Sequence, residues 1–205
     1  MIVQTHIIGC SYWSSILEER TTESSKAPPS LTGLTLLKHA AVHFAVGISA
    51  LSLWAGADAW FLATGLALAS FLSISTAIVA GVVAATLVHE WFHFAGAAMS
   101  GSSYRIPRKI GIFVYSYDYQ KNSVRQFYVM SLAGQLGSLL AIIGLFILAP
   151  MDNPGRWTLL AAAIGSAVFG GTIEWPVLLR TSKSGNPLEE LEKITPAVFS
   201  RSLLV

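Results

Sequence analysis

Between Leu34 and Leu179 the chain is a succession of apolar runs, several reaching the roughly 20 residues that cross about 30 Å of hydrocarbon as a helix. No feature constrains the fold more. In lipid, every backbone N–H and C=O must be satisfied internally, so apolar runs of this length fold as helices. Composition agrees: 53% of residues are hydrophobic and only 12% charged, whereas soluble domains average about 25% charged. The chain reads as one compact, all-α polytopic protein of the lipid bilayer. A formal net charge of +2 argues against a nucleic-acid partner.

The polar stretches divide the chain. Residues 1–33 read as an N-terminal interfacial segment followed by a Pro/Ser-rich linker. Ile7-Ile8-Gly9-Cys10 has some lipobox character, but no basic start and no long apolar run precede Cys10. That single cysteine makes no internal disulfide. Residues 34–182 form the membrane domain, and 183–205 a peripheral cytoplasmic tail. A first span is expected at Leu34–Trp54, closed by a break at 55–58 where Asp58 is solvated. The next apolar stretch, Trp60–Met99, would be about 60 Å long as one helix, so a turn is expected near Ser73–Thr76. Further spans are expected at Gln126–Ala149 and Trp157–Leu179, four to five in all. Between them, 100–126 is polar and basic. Its Pro107 and alternating Tyr115, Tyr117 and Tyr119 predict a small membrane-associated β-hairpin, the tyrosines serving equally well as an interfacial aromatic belt. Arg105, Arg108, Lys109, Lys121 and Arg125 oppose only Asp118 there, which assigns this loop and the C-terminus to the cytoplasmic side.

One span carries chemistry. His89-Glu90-Trp91-Phe92-His93 is an H-E-x-x-H pattern. Residues i and i+4 share a helix face, so both imidazoles can reach one Zn²⁺, while Glu90 is placed to take a proton from water. Ionisable groups inside a span mark function by default. A zinc site needs a third protein ligand. Among the acidic residues downstream of Glu90, only Glu174 lies within an apolar span. It sits six residues before Arg180, and His89 and His93 sit eleven and seven before Ser100, so both groups lie roughly 9–16 Å below the same surface. Pro176 removes a helix hydrogen bond beside Glu174. In "SLAGQLGS", Ala133, Gly137 and Ala141 have small-xxx-small spacing, and Gln135 is a candidate hydrogen-bond donor to the site. His39 and His43 are also i,i+4. Interfacial placement of His39 beside Lys38, and a bonded or site-lining His43, is preferred over a second metal pair.

These features together resemble the site-2-protease-type intramembrane zinc metalloproteases, over roughly residues 35–190. The resemblance rests on HEWFH in a span, the basic strand-like segment after it, the "LAGQLGS" span, and a last span bearing Glu174 and Pro176. "AVHF" at 41–44 is similar to a first-span pattern of that family. The usual Asn-x-x-Pro and Leu-Asp-Gly motifs, whose Asp is the third ligand, are replaced by Glu174-Trp175-Pro176 and Ser184-Gly185-Asn186-Pro187. The usual Ala-Gly-Pro of the middle span is Ala133-Gly134-Gln135. The chain thus reads as a divergent member whose third ligand is assigned by depth and chemistry rather than by motif. The resemblance implies a Zn²⁺-dependent endopeptidase acting on a transmembrane or juxtamembrane segment of a membrane protein near the cytoplasmic side. Glu90 would be its base, His89, His93 and Glu174 its ligands, and Gln135 and Asn186 candidate oxyanion donors. The alternative is a catalytically silent relative serving as a structural or assembly partner in a heteromeric membrane complex.

Overall fold

The computed structural model describes residues 29–194 of the chain, with side chains over 33–193. Residues 1–28 of the expected N-terminal segment, Cys10 included, and the end of the tail lie outside the described residues, while 29–33, expected as linker, are helical. The elements are α1 (Pro29–Thr64), α2 (Ala67–Met99), β1 (Tyr104–Arg105), β2 (Ser116–Tyr117), α3 (Val124–Leu148), α4 (Pro154–Ser184) and α5 (Pro187–Ile194). Four helices, α1 to α4, are long and apolar enough to cross a membrane. α2 is the hub and packs against α1, α3 and α4. Only 6% of the apolar window of α1 is buried within the chain. Leu37, Phe44 and Leu53 on it are exposed, as expected where the surrounding solvent is lipid.

The expected turn near Ser73–Thr76 does not exist, because α2 runs through it unbroken. Ser75 Oγ donates to the Phe71 carbonyl at 2.8 Å and Thr76 Oγ1 to that of Leu72 at 2.6 Å. Hydroxyls satisfied by the i−4 carbonyl leave the helix intact. The chain reverses earlier, at Gly65, whose φ of 65° is left-handed backbone that glycine adopts without Cβ strain. The break expected at 55–58 is likewise helix. Asp58 is not solvated but buried, receiving Arg156 Nε at 2.9 Å and Ser73 Oγ at 3.1 Å. Arg156 also reaches Asp152 at 2.9 Å, so one guanidinium ties the end of α1 to the start of α4.

Helices approach closely where side chains are small. A Cβ on Gly96 would lie 2.6 Å from that of Ala133, and one on Gly137 the same distance from Phe92 Cβ. The packing face of α3 therefore includes Gly134 and Gly137, not only the expected Ala133–Gly137–Ala141 row. α3 starts at a capping box between Ser123 and Gln126. Asn153 caps α4 and Pro154 occupies its first turn. Two strands pair antiparallel, Tyr104 with Tyr117 and Arg105 with Ser116, after the H-E-x-x-H helix.

Candidate metal centre

Three elements build the site. α2 contributes His89, Glu90 and His93, α4 contributes Glu174, and α3 supplies the groups that orient them. His89 Nε2 lies 2.8 Å from Glu174 Oε1, and His93 Nε2 lies 3.3 Å from the same oxygen. The two Nε2 atoms are 2.8 Å apart. His89, His93 and Glu174 form a group able to hold a metal ion, their ligand atoms all within 4.8 Å of one another.

The outer partners of the rings fit that use. His93 Nδ1 is 2.9 Å from the Met130 carbonyl, which only accepts, so Nδ1 carries the proton and a neutral ring turns a lone pair toward the cluster. His89 Nδ1 bonds Ser138 Oγ at 2.8 Å. Gln135 Nε2 donates to Glu174 Oε2 at 2.6 Å, leaving Oε1 for the histidines. Converging nitrogen lone pairs and a carboxylate oxygen repel one another unless a cation or proton joins them. Bonds from the far ring nitrogen and from the far carboxylate oxygen are the usual way a protein aims metal ligands. Gly134 makes room, since any Cβ there would overlap the His93 ring.

Glu90, one residue past His89, points elsewhere. It lines a cavity of about 460 Å³ together with His93 and Glu174, and no hydrogen bond or ion pair engages it among the described residues. Residues 107–119 form one wall, including Ile110, Phe113, Tyr115 and Tyr119. Phe127 and Met130 of α3, Ile173 and Val177 of α4, and Leu191 of α5 complete it. The tyrosines of the 115–119 stretch thus turn inward rather than forming an outward belt. Asp118, outside the cavity, lies 2.9 Å from Lys121 Nζ, and that bond holds its carboxyl below the ordinary range. Burial pushes the hydroxyls of Tyr115 and Tyr119 above the ordinary tyrosine value.

Several expectations change here. Gln135 is, as expected, a hydrogen-bond donor to the site, but its Nε2 donates to Glu174 Oε2. Asn186 is exposed and accepts from the Glu189 amide at 3.4 Å within its own turn, and it does not line the cavity. His39 is fully buried within the chain. Its Nε2 donates to the Pro107 carbonyl at 2.9 Å, and His43 Nε2 to that of Gly111 at 2.7 Å. Both are therefore spent on loop carbonyls rather than paired as ligands. The tail is not wholly peripheral, since α5 places Leu191 in the cavity wall and buries Glu190. Sequence reasoning missed Ser138 and Gly134. Gln135 and Ser138 are three apart and share a face of α3, which was a readable signal. No known family pattern, no curated protein and no solved structure matches this chain.

Proposed function

We propose that the chain is a zinc-dependent intramembrane endopeptidase, a divergent relative of the site-2-protease type, acting on a transmembrane or juxtamembrane segment of another membrane protein. One observation carries the reading: two members of the ligand group, His93 and Glu174, and an uncommitted carboxylate, Glu90, border one cavity, with His89 completing the group behind them. Two histidines and a glutamate form a known catalytic zinc set that leaves a coordination position open. Bound zinc supplies Lewis acidity, lowering the pKa of water and polarising a carbonyl. Glu90 removes one proton from the attacking water as its hydroxyl adds to the peptide carbonyl carbon. Glu90 then delivers that proton to the amide nitrogen as the C–N bond breaks. Gln135 and Ser138 hold Glu174 and His89 in place through these steps. Tyr115 and Tyr119 make no hydrogen bond through their hydroxyls among the described residues, and both line the cavity. They replace Gln135 and Asn186 as candidate donors to the carbonyl oxygen.

A helical substrate hides its carbonyls in internal bonds, so it must unwind before cleavage. The short β2 strand that follows the 107–115 wall is a candidate backbone partner for such a segment, by strand addition. The basic residues of the 100–126 loop support a site on the cytoplasmic side.

The test pairs metal content with cleavage of fluorescently tagged single-span segments in liposomes, for the wild type, Glu90→Gln and Glu174→Ala. Glu90→Gln is expected to keep zinc and lose about 10²–10⁴-fold in cleavage rate. Glu174→Ala is expected to lose zinc. A wild type that binds no zinc sinks the reading. Zinc bound with no cleavage of any segment favours the silent structural subunit instead.

A further inference from the structure

Two buried histidines outside the metal group share an arrangement that the proposed chemistry does not use. His39 and His43 stand one turn apart on α1, about 6 Å along its axis. Their Nε2 atoms meet the carbonyls of Pro107 and Gly111, also four residues apart. Residues 107–111 therefore pass alongside α1 over about one helical turn. Among the described residues, these are the only hydrogen bonds joining 106–115 to the rest of the chain. Pro107, Lys109, Ile110, Gly111, Phe113 and Tyr115 line the cavity that Glu90 borders. Ile112, which does not line it, is 60% exposed.

Trp91 completes the arrangement. Its indole N–H donates to His43 Nδ1 at 3.2 Å, so His43 carries its own proton on Nε2, aimed at Gly111. Trp91 follows Glu90 in sequence, so the helix that carries the carboxylate also sets the tautomer of the clasp. Backbone carbonyls turned against buried side chains are costly unless bonded, which gives both histidines a physical reason to be there.

We infer that His39 and His43 are positioning residues: they clasp the 106–115 wall to α1 and so set the register in which that wall meets an extended peptide opposite Glu90. This rests on reading the cavity as the substrate site. The part concerning the clasp itself is tested without cleavage.

Val114, within the wall, is fully buried. In full-length Cys10→Ser protein in liposomes, a Val114→Cys thiol reports opening through its maleimide labelling rate. His39→Phe with His43→Phe keeps ring bulk and removes both donors. Labelling is expected to accelerate about tenfold for each bond removed. His39→Gln with His43→Gln keeps an N–H at a similar reach, and labelling is expected to stay near the parent rate. Zinc content is expected to be unchanged in both. If a segment is cleaved, the Phe pair is expected to raise KM about tenfold and leave kcat within about twofold. Labelling of the Phe pair at the parent rate overturns the clasp. So does fast labelling of the Gln pair, an arm that stands even where the Phe pair does not fold. Absence of zinc and cleavage in the wild type overturns the peptidase reading alone, and leaves the labelling result to decide the clasp.

Discussion

Gly134 does most to show how residue-scale geometry shapes the candidate centre. Its missing side chain is the space that the His93 ring occupies. Gly134→Ala is expected to push His93 out of line and weaken zinc binding at least tenfold, the low end of the effect of outer-partner changes. Gln135→Leu removes the 2.6 Å bond to Glu174 Oε2 with little change in volume, and is expected to weaken zinc about 10–100-fold. Competition with a chromophoric chelator measures both. Retained affinity in both variants would show that the rings and carboxylate aim themselves. His89, Glu90 and His93 were legible in the sequence because i,i+4 spacing is a property of the helix alone. Glu174 was legible because an acid in an apolar run is rare. Ser138, Gly134 and the true task of Gln135 were not, since each depends on which face of α3 turns toward α2.

At the scale of elements, the sequence misplaced one reversal for a definable reason. A serine- and threonine-rich stretch signals a break in water, but in α2 these hydroxyls bond back to their own helix. The reversal falls instead at Gly65, where a left-handed backbone is needed. The carboxylate of Asp58, expected in solvent, instead locks α1 to α4 through Arg156, with side chains 5% and 17% exposed. Ser73, which also bonds Asp58, is 20 residues from His93 on α2, so this lock lies about 30 Å from the metal group. Removing one member of a buried ion pair strands the other. Asp58→Ala and Arg156→Ala are each expected to cost about 3–5 kcal/mol, and an apolar pair, Asp58→Leu with Arg156→Met, to recover much of it. Thermal unfolding in detergent reads the loss. Zinc affinity is expected to hold at temperatures where each variant is folded, because the two clusters share no side chain.

At the scale of the whole molecule, α3 and α4 return the chain to the side on which α2 ends. In a bilayer, the 100–123 stretch and the residues after Ser184 are therefore expected on one side, and Gly65 and 150–153 on the other. The basic residues around Arg105 predict that the first side is cytoplasmic. Single cysteines introduced at Ser103, Ser184 and Asp152 into Cys10→Ser protein, labelled in intact cells with an impermeant maleimide, check this. Labelling of Ser103→Cys but not Asp152→Cys from outside would reverse the orientation. Run length and the scarcity of charge pointed to long apolar helices, and the structure has four that are long and apolar enough to cross a membrane. Helical spacing settled that His89 and His93 face one way, because that periodicity is local. What only the tertiary structure decided is what crosses between helices: that Glu174 meets both histidines, that Gln135 orients it, and that His39 and His43 hold the cavity wall. Those contacts join residues 39 to 85 positions apart, and no local pattern encodes which faces of separate helices are pressed together.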